Sequence, residues 1–152
     1  MMTENDDKQT TPETPKPNSD LKDFERLIGT WKVSGGLQGT QIFEWAEGGF
    51  FLIQHFDFDH AGRKVKGIEI IGHEHKFGDQ PSAEIKTRVF SFMDGTTLDY
   101  VYEMDGDTLT IWGEEKNSPA YFKGEFSGDG DTLTGGWVYP GGGYEATATR
   151  VK

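Results

Sequence analysis

The chain has 152 residues, of which 21 are Gly, 6 are Pro and none is Cys, and aromatic residues make up 13%. The lack of cysteine excludes disulfides, thiolate metal sites and a cysteine nucleophile. The net charge of −11 disfavours contact with nucleic acid or anionic membranes. We expect a cytoplasmic protein, because the N-terminal residues lack a signal-peptide pattern and no apolar run approaches the ~20 residues of a membrane helix.

Residues 1–19 are polar and contain three prolines, so they cannot bury enough apolar surface to fold. We predict a disordered tail over 1–19 and one domain over 20–152. Ser19 or Asp20 can cap a short helix whose apolar residues Leu21, Phe24 and Ile28 share one face, and Gly29 ends it. Such a helix would cover the end of a larger structure.

From Thr30 onward the apolar pattern changes to a period of two, which is typical of strands. Ten strand-like runs cover residues 30–37, 39–46, 50–59, 64–75, 83–93, 97–104, 108–114, 119–127, 132–139 and 144–151. Turn signals such as Asp94-Gly95 and Asp105-Gly106 separate most of them. The pattern predicts an all-β fold, an antiparallel up-and-down meander of about ten strands. We predict that this meander closes into a single barrel with the short helix plugging one end, because closure removes the exposed edges.

Three segments resemble an uncharacterised bacterial family of lipocalin-like, calycin-type barrels. They are 27–33 (LIGTWKV), 44–54 (EWAEGGFFLIQ) and 122–137 (FKGEFSGDGDTLTGGW). Fatty-acid-binding proteins and nitrobindin-type haem barrels look like relatives of that family. The resemblance implies that Trp31 packs across a sealed barrel end and that Arg150 stacks on its indole. A guanidinium over an indole contributes about 0.5–2 kcal/mol.

A barrel of this size has a lumen that can hold one small molecule. We predict binding of a small hydrophobic or amphipathic ligand, with Gln54 or Arg88 orienting its polar end. The aromatic residues expected to line the lumen are Trp45, Phe56, Tyr100, Tyr102 and Trp112. A third possibility beside ligand binding and catalysis is a barrel without a ligand that binds a partner or forms a homodimer through an exposed strand face.

A catalytic alternative places His55 with Glu69, Arg88 or Tyr102 inside the barrel, where they would transfer protons in an isomerase, cyclase or hydrolase. No nucleophile elbow, P-loop or paired-carboxylate motif supports it. His73-Glu74-His75 places two imidazoles on one strand face, as a metal chelate requires, but a solvated pair is the commoner arrangement. Haem would need His55 or His73 as its ligand. We therefore expect neither a metal nor a haem cofactor.

Overall fold

The computed structural model describes residues 14–152, so most of the predicted tail lies outside the described residues. A 3-10 helix covers Ser19–Leu27, and Asn18 caps it by accepting a hydrogen bond from the Asp20 backbone N–H. Its buried residues are Leu21, Phe24 and Leu27. Their spacing of three matches the three residues per turn of a 3-10 helix. The predicted cap at Ser19 or Asp20 was therefore wrong, and Leu27 replaces Ile28 on the buried face.

Ten antiparallel strands follow, and the all-β prediction is confirmed. They are β1 (Gly29–Gly35), β2 (Gln38–Trp45), β3 (Phe51–His60), β4 (Arg63–His73), β5 (Ile85–Ser91), β6 (Thr97–Asp105), β7 (Thr108–Gly113), β8 (Tyr121–Phe126), β9 (Thr132–Tyr139) and β10 (Gly142–Arg150). Each strand pairs with its neighbours in sequence, and β10 pairs with β1 to close the barrel. Within residues 14–152, no helix combines the length and the apolar character needed to cross a membrane.

Tight turns explain why consecutive strands are neighbours. Ala61 and Gly62 join β3 to β4 with φ angles of 51° and 81°, which are the positive values that a two-residue type I′ hairpin turn requires. Pro140-Gly141 joins β9 to β10, and Gly141 has a φ of 89°. Proline followed by a residue with positive φ is the signature of a type II turn. Such short connections leave no room for a crossover, so the chain meanders.

The helix closes one end of the barrel. Trp31 Nε1 donates a 2.8 Å hydrogen bond to the Leu27 carbonyl, and the Arg150 guanidinium lies 4.3 Å from the centre of the Trp31 ring. Arg150 also donates to the carbonyls of Ile28 and Arg26 at 2.6 and 2.7 Å. These bonds join the end of β10 to the helix. Any entrance to the interior therefore lies at the other end, among the β1–β2, β3–β4, β5–β6, β7–β8 and β9–β10 connections.

Candidate functional site

The barrel encloses a cavity of about 440 Å³. Leu27 of the helix lies on its floor, and Leu98, Tyr139 and Tyr144 lie toward the open end. Inward positions alternate with outward ones along every strand, and most of the inward side chains that line the cavity are apolar or aromatic. The cavity is therefore an apolar pocket that opens away from the helix.

One carboxylate lies inside this pocket. Glu69 is only 3% exposed, and it accepts three hydrogen bonds from side chains. Gln54 Nε2 and the Tyr102 hydroxyl donate to its Oε1 at 2.6 and 2.7 Å. The Thr87 hydroxyl donates to its Oε2 at 2.7 Å. Gln41 Nε2 extends the network by donating to Gln54 Oε1 at 2.8 Å. We call these five residues the Glu69 cluster.

Strand register brings the cluster together. Gln54 of β3 is directly opposite Glu69 of β4, so their side chains emerge at the same level of the same face. Val89 of β5 is directly opposite Glu69. Thr87 lies two residues nearer the sealed end of the same strand and faces inward as Val89 does. Toward the sealed end, Leu52 and Ile71 are completely buried beside the cluster. The cluster is thus the polar part of a cavity whose sealed end is lined by Leu27.

Burial governs the ionisation of the cluster. Desolvation raises the pKa of the Glu69 carboxyl, although its three donors oppose the shift. Burial and then the nearby Glu69 charge raise the pKa of Tyr102 well above its ordinary value and that of Tyr100 to about 12. Both tyrosines therefore remain protonated at neutral pH and can act as donors.

An aromatic wall stands above the cluster. The Trp137 ring lies 5.7 Å from Tyr100 and 5.8 Å from Phe122, measured between ring centres. Phe56 stacks on Phe58 at 5.8 Å. Offset and tilted aromatic pairs of this kind provide rigid apolar surface. The upper part of the cavity is therefore suited to an apolar or planar body.

Four of the seven predicted lumen residues line the cavity. They are Gln54, Phe56, Tyr100 and Tyr102. Whether they bind a ligand stays a prediction.

The other three do not line it, and their predicted placement was wrong. Arg88 is on the outer face of β5, where it forms an ion pair with Asp99 at 2.7 Å. Trp112 pairs with Val101 on the outer face of β7. Trp45 packs against the core at the sealed end of β2. For Arg88 and Trp112, a change of one position along the strand moves the side chain to the opposite face.

The catalytic set built on His55 is not assembled. His55 is exposed on the outer face of β3, where its Nε2 lies 2.7 Å from Glu44 Oε2. Arg88 is also outside, as its pair with Asp99 shows. Glu69 and Tyr102 are in direct contact inside the cavity. The hypothesis is therefore wrong for His55 and Arg88, and only the Glu69–Tyr102 pair remains of it.

The remaining histidines do not form a metal chelate. His73 hydrogen-bonds the Ser82 carbonyl through Nδ1 and Asp20 Oδ1 through Nε2. His75 Nε2 contacts the Asp79 carbonyl at 2.7 Å. Among residues 14–152, no three His, Cys, Asp or Glu side chains are grouped so that they could hold a metal ion. Neither His55 nor His73, the two haem ligands considered, lines the cavity.

Sequence reasoning missed several cavity residues. Gln41 and Thr87 belong to the Glu69 cluster, and both could have been found by alternation, since Phe43 and Ile85 two positions away are buried. Trp137 sits in a glycine-rich run without a clear apolar face, so no signal placed it inside. His60 lines the mouth of the cavity, with its ring 4.6 Å from that of Tyr144.

Compared with known proteins, the chain matches no protein-family model, and no curated protein is significantly similar to it. The closed ten-stranded antiparallel barrel is consistent with a calycin-like fold. A fold of this kind hosts unrelated functions, so function has to be argued from the site.

Proposed function

We propose that this protein is a lipocalin-like barrel that binds one small amphipathic molecule in its lumen. The observation that carries the proposal is the cavity of about 440 Å³ with an apolar wall and one polar cluster at Glu69. Ligand pockets are typically roughly 300–1,000 Å³, mostly apolar, with a few convergent polar groups that orient the ligand. An elongated or planar apolar body would contact the aromatic wall, and a polar head would reach the Glu69 cluster.

The sealed end supports this orientation. The helix, Trp31 and Arg150 close one end of the barrel, so a ligand enters from the opposite end. The polar head therefore enters first, and the apolar body remains near the mouth. Removal of the apolar surface from water supplies about 25 cal/mol per Å² of affinity, less the cost of immobilising the ligand.

Tryptophan fluorescence tests the proposal, because Trp137 lines the cavity whereas Trp112 lies outside it. Titration with ten-carbon alcohols, amines and acids should change the emission of the wild type and of Trp112→Phe. Trp137→Phe should lose most of that change. Native mass spectrometry should show one ligand per chain. A cavity that takes up none of these probes would overturn the proposal.

A second candidate function is proton transfer on a bound ligand. It is favoured by the contact between Glu69 and the Tyr102 hydroxyl inside the cavity, since a buried carboxyl with a raised pKa beside a tyrosine donor can act as an acid or base. Incubation with 2-decanone in D₂O would test it. Deuterium should enter the carbons next to the ketone with the wild type but not with Glu69→Gln. Equal incorporation with both proteins would reject this candidate.

A further inference from the structure

We infer that the ligand's head group donates a hydrogen bond to Glu69, so that the pocket selects an alcohol or an amine over a carboxylate. This inference rests on the proposed function and adds the chemical class of the ligand. Two observations carry it: the count of hydrogen bonds at Glu69 and the charges that line the cavity.

The hydrogen bonds to the Glu69 carboxylate leave one acceptor position open. An ionised carboxylate has about four acceptor positions, two on each oxygen. Oε1 accepts from both Gln54 and Tyr102, whereas Oε2 accepts from Thr87 alone. The vacant position is thus on Oε2 of a residue that lines the cavity. When Glu69 is ionised, a hydroxyl or an ammonium group can fill this position, and a carboxylate cannot.

The charges around the cavity also favour an alcohol or an amine over a carboxylate. Among the described residues that line it, none is Lys or Arg, and the one group that can become cationic is His60 at the mouth. Arg88, which could have neutralised an anionic head, lies on the outer face and pairs with Asp99. A ligand carboxylate at the Glu69 cluster would therefore be buried without a counter-charge. Two buried carboxyls at such a site would have to share a proton, which makes ionised binding costly.

A set of ten-carbon probes tests the inference: 1-decanol, decylamine and decanoate have the same number of carbons and differ in the functional group at the first carbon. At neutral pH we expect the wild type to bind decanol and decylamine at least about tenfold more tightly than decanoate. Decanol is essential to the comparison, because the net charge of −11 attracts any cation and repels any anion. Calorimetry or tryptophan fluorescence gives the three dissociation constants.

Glu69→Gln provides the sharper test, because the amide can preserve the existing network. Its oxygen can accept from Gln54 and Tyr102, and its NH₂ group can donate to a rotated Thr87 hydroxyl. The second N–H then occupies the open position, which changes from an acceptor to a donor. Decanoate should bind this variant more tightly than the wild type, and decylamine should bind it more weakly.

Glu74→Gln is the matched control, because it removes the same charge at an exposed position beyond the end of β4. It should leave the order of the three affinities unchanged. Decanoate binding to the wild type as tightly as decanol would overturn this inference and leave the proposed function standing. An equal response of the two glutamine variants would also overturn it. Binding of none of the three probes would overturn the proposed function and the inference together.

Discussion

The Tyr102 hydroxyl donates a 2.7 Å hydrogen bond to Glu69 Oε1 inside the barrel, and this bond joins β6 to β4 across the intervening strand β5. Gln54 of β3 donates to the same oxygen at 2.6 Å. A charge in an apolar interior persists only when hydrogen bonds replace its hydration. The pair is therefore both a structural tie between strands and the polar feature that a ligand would meet.

Replacing Tyr102 with Phe tests the structural part of this statement. The substitution removes one donor from a buried carboxylate while the ring still fills its place, so we expect a loss of about 1.5–3 kcal/mol in the free energy of unfolding. Urea unfolding followed by tryptophan fluorescence measures it. Tyr139→Phe, at a residue that is 41% exposed, should change stability little. Equal stability of the two variants would mean that the bond to Glu69 contributes nothing.

Most of the fold could be predicted because the local signals agreed with one another. The ten runs of alternating residues and the turns between them, such as Ala61-Gly62, lead to a meander whose ends pair. The helix was harder to predict in detail. Its apolar residues fit both 3.6 and 3.0 residues per turn, and contact with the barrel end selected Leu27 rather than Ile28.

The site was less predictable than the fold, because the face on which a side chain lies changes with every position along a strand. On β3, large apolar residues at alternate positions correctly placed Gln54 inside. On β5, Arg88 lies next to Thr87 and Val89, and both of these face inward. A glutamate 3% exposed on β4 violates the usual preference of charged residues for solvent, so the sequence named Glu69 only as a partner of His55 in the catalytic alternative.

The pH dependence of stability should report the burial of Glu69. Burial raises the pKa of this carboxyl above its ordinary 4.5. Between the ordinary pKa of Glu69 in the unfolded chain and its raised pKa in the folded chain, the carboxyl is protonated in the folded chain and ionised in the unfolded chain. The contribution of this group to the free energy of unfolding is therefore complete below pH 4.5 and is lost as the pH rises through the folded pKa. The free energy of unfolding of the wild type minus that of Glu69→Gln should therefore fall as the pH rises above 4.5.

Urea titrations at a series of pH values, up to about pH 8, measure this difference. Taking the difference between the two proteins removes the contribution of exposed acids such as Asp57 and Asp99. Hydrogen bonds to Lys64 and Arg88 lower the pKa values of these two aspartates, so they act in the opposite direction. A difference that stays constant or grows with pH would contradict the expected raised pKa of Glu69.

Arg150 should contribute more to stability than an ordinary surface arginine. Its guanidinium lies over Trp31 and donates to two carbonyls around the helix end, those of Ile28 and Arg26. We expect Arg150→Ala to lower the free energy of unfolding by about 2–4 kcal/mol, and Arg150→Lys to recover only part of it, because an ammonium cannot reproduce the planar set of donors. Arg88→Ala, which breaks an exposed ion pair, should cost at most about 1 kcal/mol. Equal costs at the two arginines would argue against a special role of Arg150 in sealing the barrel.

Filling the cavity should abolish binding without destroying the fold. Ala146 of β10 lines the cavity beside Gly35 and Gly135, its partners on the adjacent strands, so Ala146→Phe would place a ring in the lumen. We expect at least about a tenfold loss of affinity for 1-decanol, with overpacking costing about 1–3 kcal/mol of stability. Thr149→Phe adds the same ring to the exposed face of the same strand and should bind decanol like the wild type. If Ala146→Phe bound decanol normally while Thr149→Phe did not, the binding site would lie on the outer surface and not in the lumen.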